Sequence, residues 1–156
     1  MLASEYRRTM GKPLAGISVE ISEYDATNLL DLAQCEPRVA GYDAIGKGKR
    51  EGKRIQIKGR VVPADKKTSG QRIGQLKVDQ EWDSVVLVLL DENYQPIEIY
   101  EGERDVILEN TQNKPNEKRN KRGAMSVARF INLSRLVWSR ENGVVEPEVW
   151  NNKASV

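Results

Sequence analysis

"GYDAIGKGKREGKRIQIKGR" (residues 41–60) decides how this chain is read. Successive side chains of an extended strand leave by opposite faces, so in "RIQIKGR" Ile55 and Ile57 share one face while Gln56 and Lys58 share the other. Upstream, "RVAGYDAI" predicts a short strand and "GKGKREGK" a glycine-rich basic turn, which makes the whole stretch a β-hairpin. If the hairpin closes in register, Asp43 comes alongside Gln56 and Lys58. A carboxylate, an amide oxygen and an ammonium then converge, a set suited to phosphodiester chemistry. Asp43 and the Gln56 side-chain oxygen can bind Mg²⁺ together with a backbone carbonyl near Ile57, while Lys58 orients a water and offsets charge developing on the phosphate. The same residues also suit an ordinary hairpin with a wet polar face and an Asp43–Lys58 ion pair. The alternation alone does not choose between the two.

Outward from the hairpin the pattern is α/β. Ser4 caps a first short helix that stops at Gly11, with Pro13 beyond. A second helix starts at Ser18, carries Glu20 in its first turn, and runs through Ile21, Tyr24, Leu29, Leu30 and Leu32 to about Ala33, with Pro37 ending it. "SVVLVLL" (84–90) is apolar on both faces and predicts a central buried strand; "DENYQP" is a turn and "IEIY" the next strand. A short helix over 104–109, a polar basic loop and a helix over 126–137 follow. After Trp138 the tail has no clear period.

At 156 residues with 38% hydrophobic and 31% charged content, the expectation is one domain over 1–156, with a core of about 14–138 and an irregular tail over 139–156. "MLASEYRRTM" is charged where a secretory signal needs an apolar run, and "VVLVLL" is too short to cross a bilayer, so the chain reads as cytoplasmic with no membrane partner. The lone Cys35 has no partner for an internal disulfide and reads as a small buried residue. No histidine is present, which removes the commonest general base, the Ser-His and Cys-His nucleophile pairs and imidazole zinc sites. Any catalysis falls to carboxylates, lysines and a hard metal.

The net charge of +2 conceals segregation. Residues 38–77 carry twelve Lys or Arg against Asp43, Glu51 and Asp65, and "KPNEKRNKR" (114–122) carries five against one. Two basic blocks on an otherwise acidic chain point to a polyanion, although a charge run also suits a solvated loop. Candidate phosphate contacts are Lys47, Lys49, Arg50 and Lys53 in the turn, Arg60, Arg72 and Lys77 beyond it, and Lys118, Arg119 and Arg122 in the later loop. Tyr42, Trp82 and Phe130 read as core, because nothing interleaves them with the basic runs.

"GYDAI" followed by "IQIKGR", with twelve residues between Asp43 and Gln56, resembles the D-(x)n-(E/D/Q)-x-K core of the restriction-endonuclease-like, or PD-(D/E)xK, superfamily. The Gln-x-Lys form is similar to that of Mrr-like nucleases, and residues 14–135 resemble a set of small bacterial proteins of this fold. The resemblance implies an α/β fold with a mixed β-sheet flanked by helices. It implies a Mg²⁺- or Mn²⁺-dependent DNA endonuclease with Asp43 and Gln56 as ligands, Lys58 as catalytic lysine, and Glu20 or Glu23 as the helix glutamate. Those two glutamates lie one turn apart, and the sequence does not say which faces the hairpin. Tyr42 stands where many members have proline, and Gln56 replaces an acidic ligand, which weakens the hold on a cation. One site in a small chain breaks both DNA strands most simply as a homodimer. The alternatives are a nucleic-acid-binding or assembly subunit with a weak or dead site, and a domain whose basic turn binds an acidic protein.

Overall fold

The apolar run "SVVLVLL" becomes the middle strand of a seven-stranded mixed sheet, and all seven of its residues are buried. The computed structural model describes residues 17–35, 41–63, 71–74, 76–78, 80–112 and 125–145. Its elements are α1 (Ile17–Leu29), β1 (Leu32–Gln34), β2 (Ala44–Gly46), a 3-10 turn (Gly48–Arg50), β3 (Arg54–Val61), β4 (Ser84–Leu90) and β5 (Pro96–Glu103). After these come α2 (Arg104–Gln112), α3 (Val127–Leu133), β6 (Arg135–Ser139) and β7 (Gly143–Val144). The strands lie side by side in chain order, every neighbouring pair antiparallel except β3 and β4. Among the described residues no helix is long and apolar enough to cross a membrane.

Each face of β4 has its own core. On one, Val86, Val88 and Leu90 pack with Ile55, Ile57 and Ile99 beneath Ile21 and Ala26 of α1 and Leu30 just after it. On the other, Val85, Leu87 and Leu89 pack with Ile107 of α2, Val127 and Phe130 of α3, and Ile73, Leu76 and Trp82. The last three belong to the crossover that a parallel β3–β4 pair demands. This crossover is irregular where described, and polar side chains tie it down. Gln71 Nε2 donates to the Val61 carbonyl at 2.8 Å, and Arg104 donates to the carbonyls of Val78, Gln80 and Trp82 while stacking 4.6 Å over the Trp82 ring.

Several elements differ from their sequence-based expectation. The helix expected to reach Ala33 ends at Leu29, because Asp31 takes a left-handed φ of 56° and turns the chain into β1. Leu32 is buried there as a strand residue. The strand expected over "RVAGYDAI" is shorter in its described part, spanning Ala44–Gly46. Ser126 does cap the last helix, its Oγ accepting from Arg129 N at 3.1 Å, but the helix stops at Leu133 and its expected final turn is β6. The tail returns as the short β7. Cys35 is half-buried rather than buried, whereas Trp82 and Phe130 are core. The helix expected over 4–11, Pro37, and the basic loop of 114–122 lie outside the described residues.

Candidate active site

Strand pairing brings the hairpin residues together. Ala44 lies opposite Ile55, both buried in the core under α1, so the preceding position sets Asp43 against Gln56 on the other face, and Lys58 shares that face two residues on. Asp43 N donates to the Ile55 carbonyl at 2.8 Å, and the Asp43 carboxylate accepts from the Ile57 amide at 2.8 Å. The N–H and C=O of one strand residue leave by the same edge, so the Ile57 carbonyl points to the edge that carries Asp43. Gly41 makes the approach possible. Its φ is +91°, and a Cβ there would lie 2.8 Å from the Glu81 carbonyl oxygen.

The charges interact as a cluster. Glu23, half-buried on α1, has its pKa raised by burial and then by the charges of Asp43 and Glu20, against a hydrogen bond from Gln34 Nε2 at 3.3 Å. Glu20 is exposed, and of the two glutamates Glu23 is the half-buried one that feels the charge of Asp43. Lys58 is half-buried. Burial lowers its pKa, Asp43 opposes that shift, and Lys77 and Arg60 add to it. Cys35 also has its pKa raised, by burial and by Asp43. Three groups from α1, the end of β1 and β3 thus respond to one carboxylate.

Gln56 has a second task. It is 2% exposed, and its Nε2 donates to the Leu76 carbonyl, so the amide pins the crossover to the sheet. Arg60 does the same further along, donating to the Arg72 carbonyl at 2.7 Å and to the Gly59 carbonyl at 2.6 Å. A Gln56→Glu variant would set a carboxylate oxygen against the Leu76 carbonyl. Without divalent cations it is expected to lose about 1–3 kcal/mol of stability, the cost of a buried acceptor left without a donor. Denaturation with and without Mg²⁺ separates the two roles: a loss that shrinks in Mg²⁺ supports an oxygen facing the cation, and an equal loss in both leaves Gln56 a crossover pin alone.

The basic residues divide. Arg72 and Lys77 are exposed, the latter in the field of Lys58. Arg50 and Lys53, candidate phosphate contacts in the turn, are ion-paired: Arg50 Nε lies 2.9 Å from Glu101, and Lys53 Nζ lies 3.5 Å from Glu101 and 2.6 Å from Glu103. Lys47 and Lys49 are exposed at the same turn. Lys118, Arg119 and Arg122 lie outside the described residues. Gln34 was missed in the sequence because β1 was merged into the helix before it; the Leu-Ala-Gln alternation is too short to read as a strand.

Among the described residues no group of three or more His, Cys, Asp or Glu side chains gathers to hold a metal. The donors near Asp43 are instead two carboxylates, Asp43 and Glu23, with the Gln56 amide and the Ile57 carbonyl. This is an all-oxygen set with net negative charge, chemically suited to a hard divalent cation. No model of a known protein family matches the chain, and no curated protein matches it at a significant level.

Proposed function

We propose that the protein is a divalent-metal-dependent DNA endonuclease with a restriction-endonuclease-like site at the Asp43–Gln56–Lys58 hairpin. The observation that carries this reading is the register that sets Asp43 opposite Gln56, its carboxylate held on the Ile57 amide at 2.8 Å, with Glu23 and Lys58 both in its field. A plain wet strand face has no need to hold an ammonium half-buried next to a carboxylate pair. The order of elements also supports it: a glutamate-bearing helix, an antiparallel hairpin with Asp then Gln-x-Lys, and a buried strand parallel to the second arm.

A Mg²⁺ or Mn²⁺ ion held by Asp43, Gln56 and the Ile57 carbonyl would neutralise charge on the scissile phosphate. The chain's own residues do the rest. The Ile57 amide fixes the Asp43 carboxylate in place. Lys58 presents an ammonium to the phosphate from a poorly solvated position, where its field is less screened than in water. Glu23, with its raised pKa, accepts a proton from water more readily than an ordinary surface carboxylate. Activity should rise as Glu23 deprotonates, at a higher pH than an ordinary glutamate would dictate, and fall in alkali earlier than an ordinary lysine would dictate.

The test is nicking of supercoiled plasmid by the purified protein. Wild type is expected to cut with Mg²⁺ or Mn²⁺ and not with EDTA, and Asp43→Asn to lose about 10²-fold or more in rate while keeping its fold, the scale of losing a charged group at the reacting phosphate. No cutting by folded wild type under any divalent ion would overturn the reading. A second reading, a DNA-binding subunit with a dead site, is favoured by the commitment of the Gln56 amide to Leu76. In that case DNA binding would persist, with a steep salt dependence and no cleavage. A homodimer would carry two copies of the site to the two strands. Sedimentation with and without DNA should show a dimer, and a monomer in both would leave a nicking enzyme.

A further inference from the structure

Away from Asp43, where the end of α1, the β2–β3 turn and the β6–β7 hairpin meet, a cavity of about 380 Å³ opens. None of Glu23, Asp43, Gln56 or Lys58 lines it. Its floor is Glu101, 3% exposed, whose carboxylate accepts from Arg50 Nε and from Ser84 Oγ, each at 2.9 Å. Lys53 Nζ stands 3.5 Å and Arg135 Nη2 3.7 Å from the same group. Leu29, Leu30, Val144 and Val145 make an apolar wall. Around the rim the lining holds five cations, with Lys47 and Lys49 joining the three at Glu101, against only Asp31 and Glu101.

Gathering cations in excess of carboxylates is unfavourable unless an anion completes the set. Glu101 fixes the geometry of Arg50, and Lys53 is shared between Glu101 and Glu103, the latter at 2.6 Å, yet Arg50, Arg135 and Lys47 still outnumber Glu101 and Asp31 around the cavity. Arg135 is the most distant partner of Glu101, with a side chain still 36% exposed, and so is the guanidinium most able to turn toward a visitor. A phosphomonoester brings close to two negative charges and three acceptor oxygens, which match forked guanidinium donors better than one carboxylate does. The cavity falls within the size range of small-molecule sites, and its aliphatic wall would cover an uncharged body next to the phosphate. We propose that this cavity binds a phosphomonoester of mononucleotide size, with the phosphate on Arg135, Arg50 and Lys47 and the body against Leu29 and Val144.

Calorimetric titration in EDTA with 5′-AMP and with inorganic phosphate tests this, at fixed ionic strength. Saturable binding is expected for both, with AMP tighter. Arg135→Gln should weaken both about 10-fold, the scale of one charged hydrogen bond. Val144→Trp, which narrows the apolar wall and touches no cation, should weaken AMP and spare phosphate. Lys47→Ala, at an exposed side chain, provides a second charge variant should Arg135→Gln fold poorly. No saturable AMP binding by folded wild type, or binding unchanged in the charge variants, overturns the proposal. Competition by short thymidylates gives the source of the phosphate. Displacement of AMP by the 5′-phosphorylated strand and not by the 5′-hydroxyl strand identifies a nucleic-acid end, and displacement by neither identifies a free small molecule. Equal displacement by both would overturn the proposal, since the cavity would then be reading backbone charge.

Discussion

A Lys58→Met protein is expected to lose metal-dependent cleavage by about 10³-fold and yet to fold normally, with equal or slightly higher stability. The rate loss follows from removing a positioned cation from a poorly solvated site, where one such group typically contributes 10²–10⁴-fold. The stability follows from the opposite sign of the same physics. Burial holds the Lys58 pKa below its ordinary value, so the folded chain binds this proton less tightly than the unfolded chain does, and the ammonium weighs against folding at neutral pH. In wild type that cost is fully present below the folded pKa and fades as pH rises through the window between it and the unfolded value of 10.5. Methionine keeps the chain length and removes the charge, so the variant should gain about 0.5–1 kcal/mol at pH 7, the scale of relieving one functional position. That gain should vanish near pH 10.5. Plasmid nicking and urea denaturation at two pH values check both halves. Wild-type cutting by the folded variant would remove Lys58 from the chemistry. A marked loss of stability would mean that the ammonium holds the fold together instead.

The parts of the fold that were legible are those in which local pattern and tertiary role coincide. The buried run at 84–90 could only be an interior strand, and the alternation in "RIQIKGR" placed Ile55 and Ile57 in the core and Gln56 with Lys58 on the opposite face. Elements set by a single backbone event were not legible. One left-handed residue, Asp31, converts the last expected helical turn into β1, while the apolar spacing of Leu29, Leu30 and Leu32 continues past it as a helix pattern would. The helix at 127–133 gives way to β6 because Leu136 and Trp138 meet Tyr100 and Ile99 in register, a long-range pairing that leaves no local trace. The crossover after β3 has no period because it is held by side-chain donors, Gln56, Arg60 and Arg104, whose acceptors are main-chain carbonyls of any residue type. For the same reason the pinning role of Gln56 was invisible. The basic turn was legible as a charge cluster but not as a network, since nothing near residue 50 announces a carboxylate at 101.

That network carries the other large effect expected here: Glu101→Ala should cost about 3–5 kcal/mol, a large share of the 5–15 kcal/mol by which domains of this kind are stable. The carboxylate is nearly inaccessible, its side chain 1% exposed, and it faces Arg50, Lys53 and Arg135 with Ser84 donating from β4. Removing it leaves Arg50 and Arg135 facing an emptied, partly desolvated space without their carboxylate, while Lys53 keeps Glu103 at 2.6 Å. The β2–β3 turn, which already folds so tightly that a Cβ on Gly46 would collide with the Arg50 carbonyl oxygen, keeps only the Lys53–Glu103 pair as its charged tie to β5. Glu101→Gln keeps an acceptor for Arg50 and should cost less. Burial pushes the Glu101 pKa up, but the charges of Arg50 and Lys53 and the bonds from Arg50 and Ser84 outweigh it, so the group titrates below its ordinary 4.5. The folded state therefore binds this proton less readily than the unfolded chain. Its contribution is fully present above about pH 4.5 and is lost as pH falls through the folded value. Denaturation at pH 7 should separate wild type from Glu101→Gln widely, and at pH 3 the gap should narrow. A gap that stays constant would trace the loss to packing and not to charge. If the cost comes from stranded cations, then pairing Glu101→Met with Arg50→Met should recover part of what Glu101→Met alone loses, because the double variant buries methylenes where the single one buries an unmatched guanidinium. Additive losses in that cycle would show that the two residues act independently, and the cavity above them would lose its built floor.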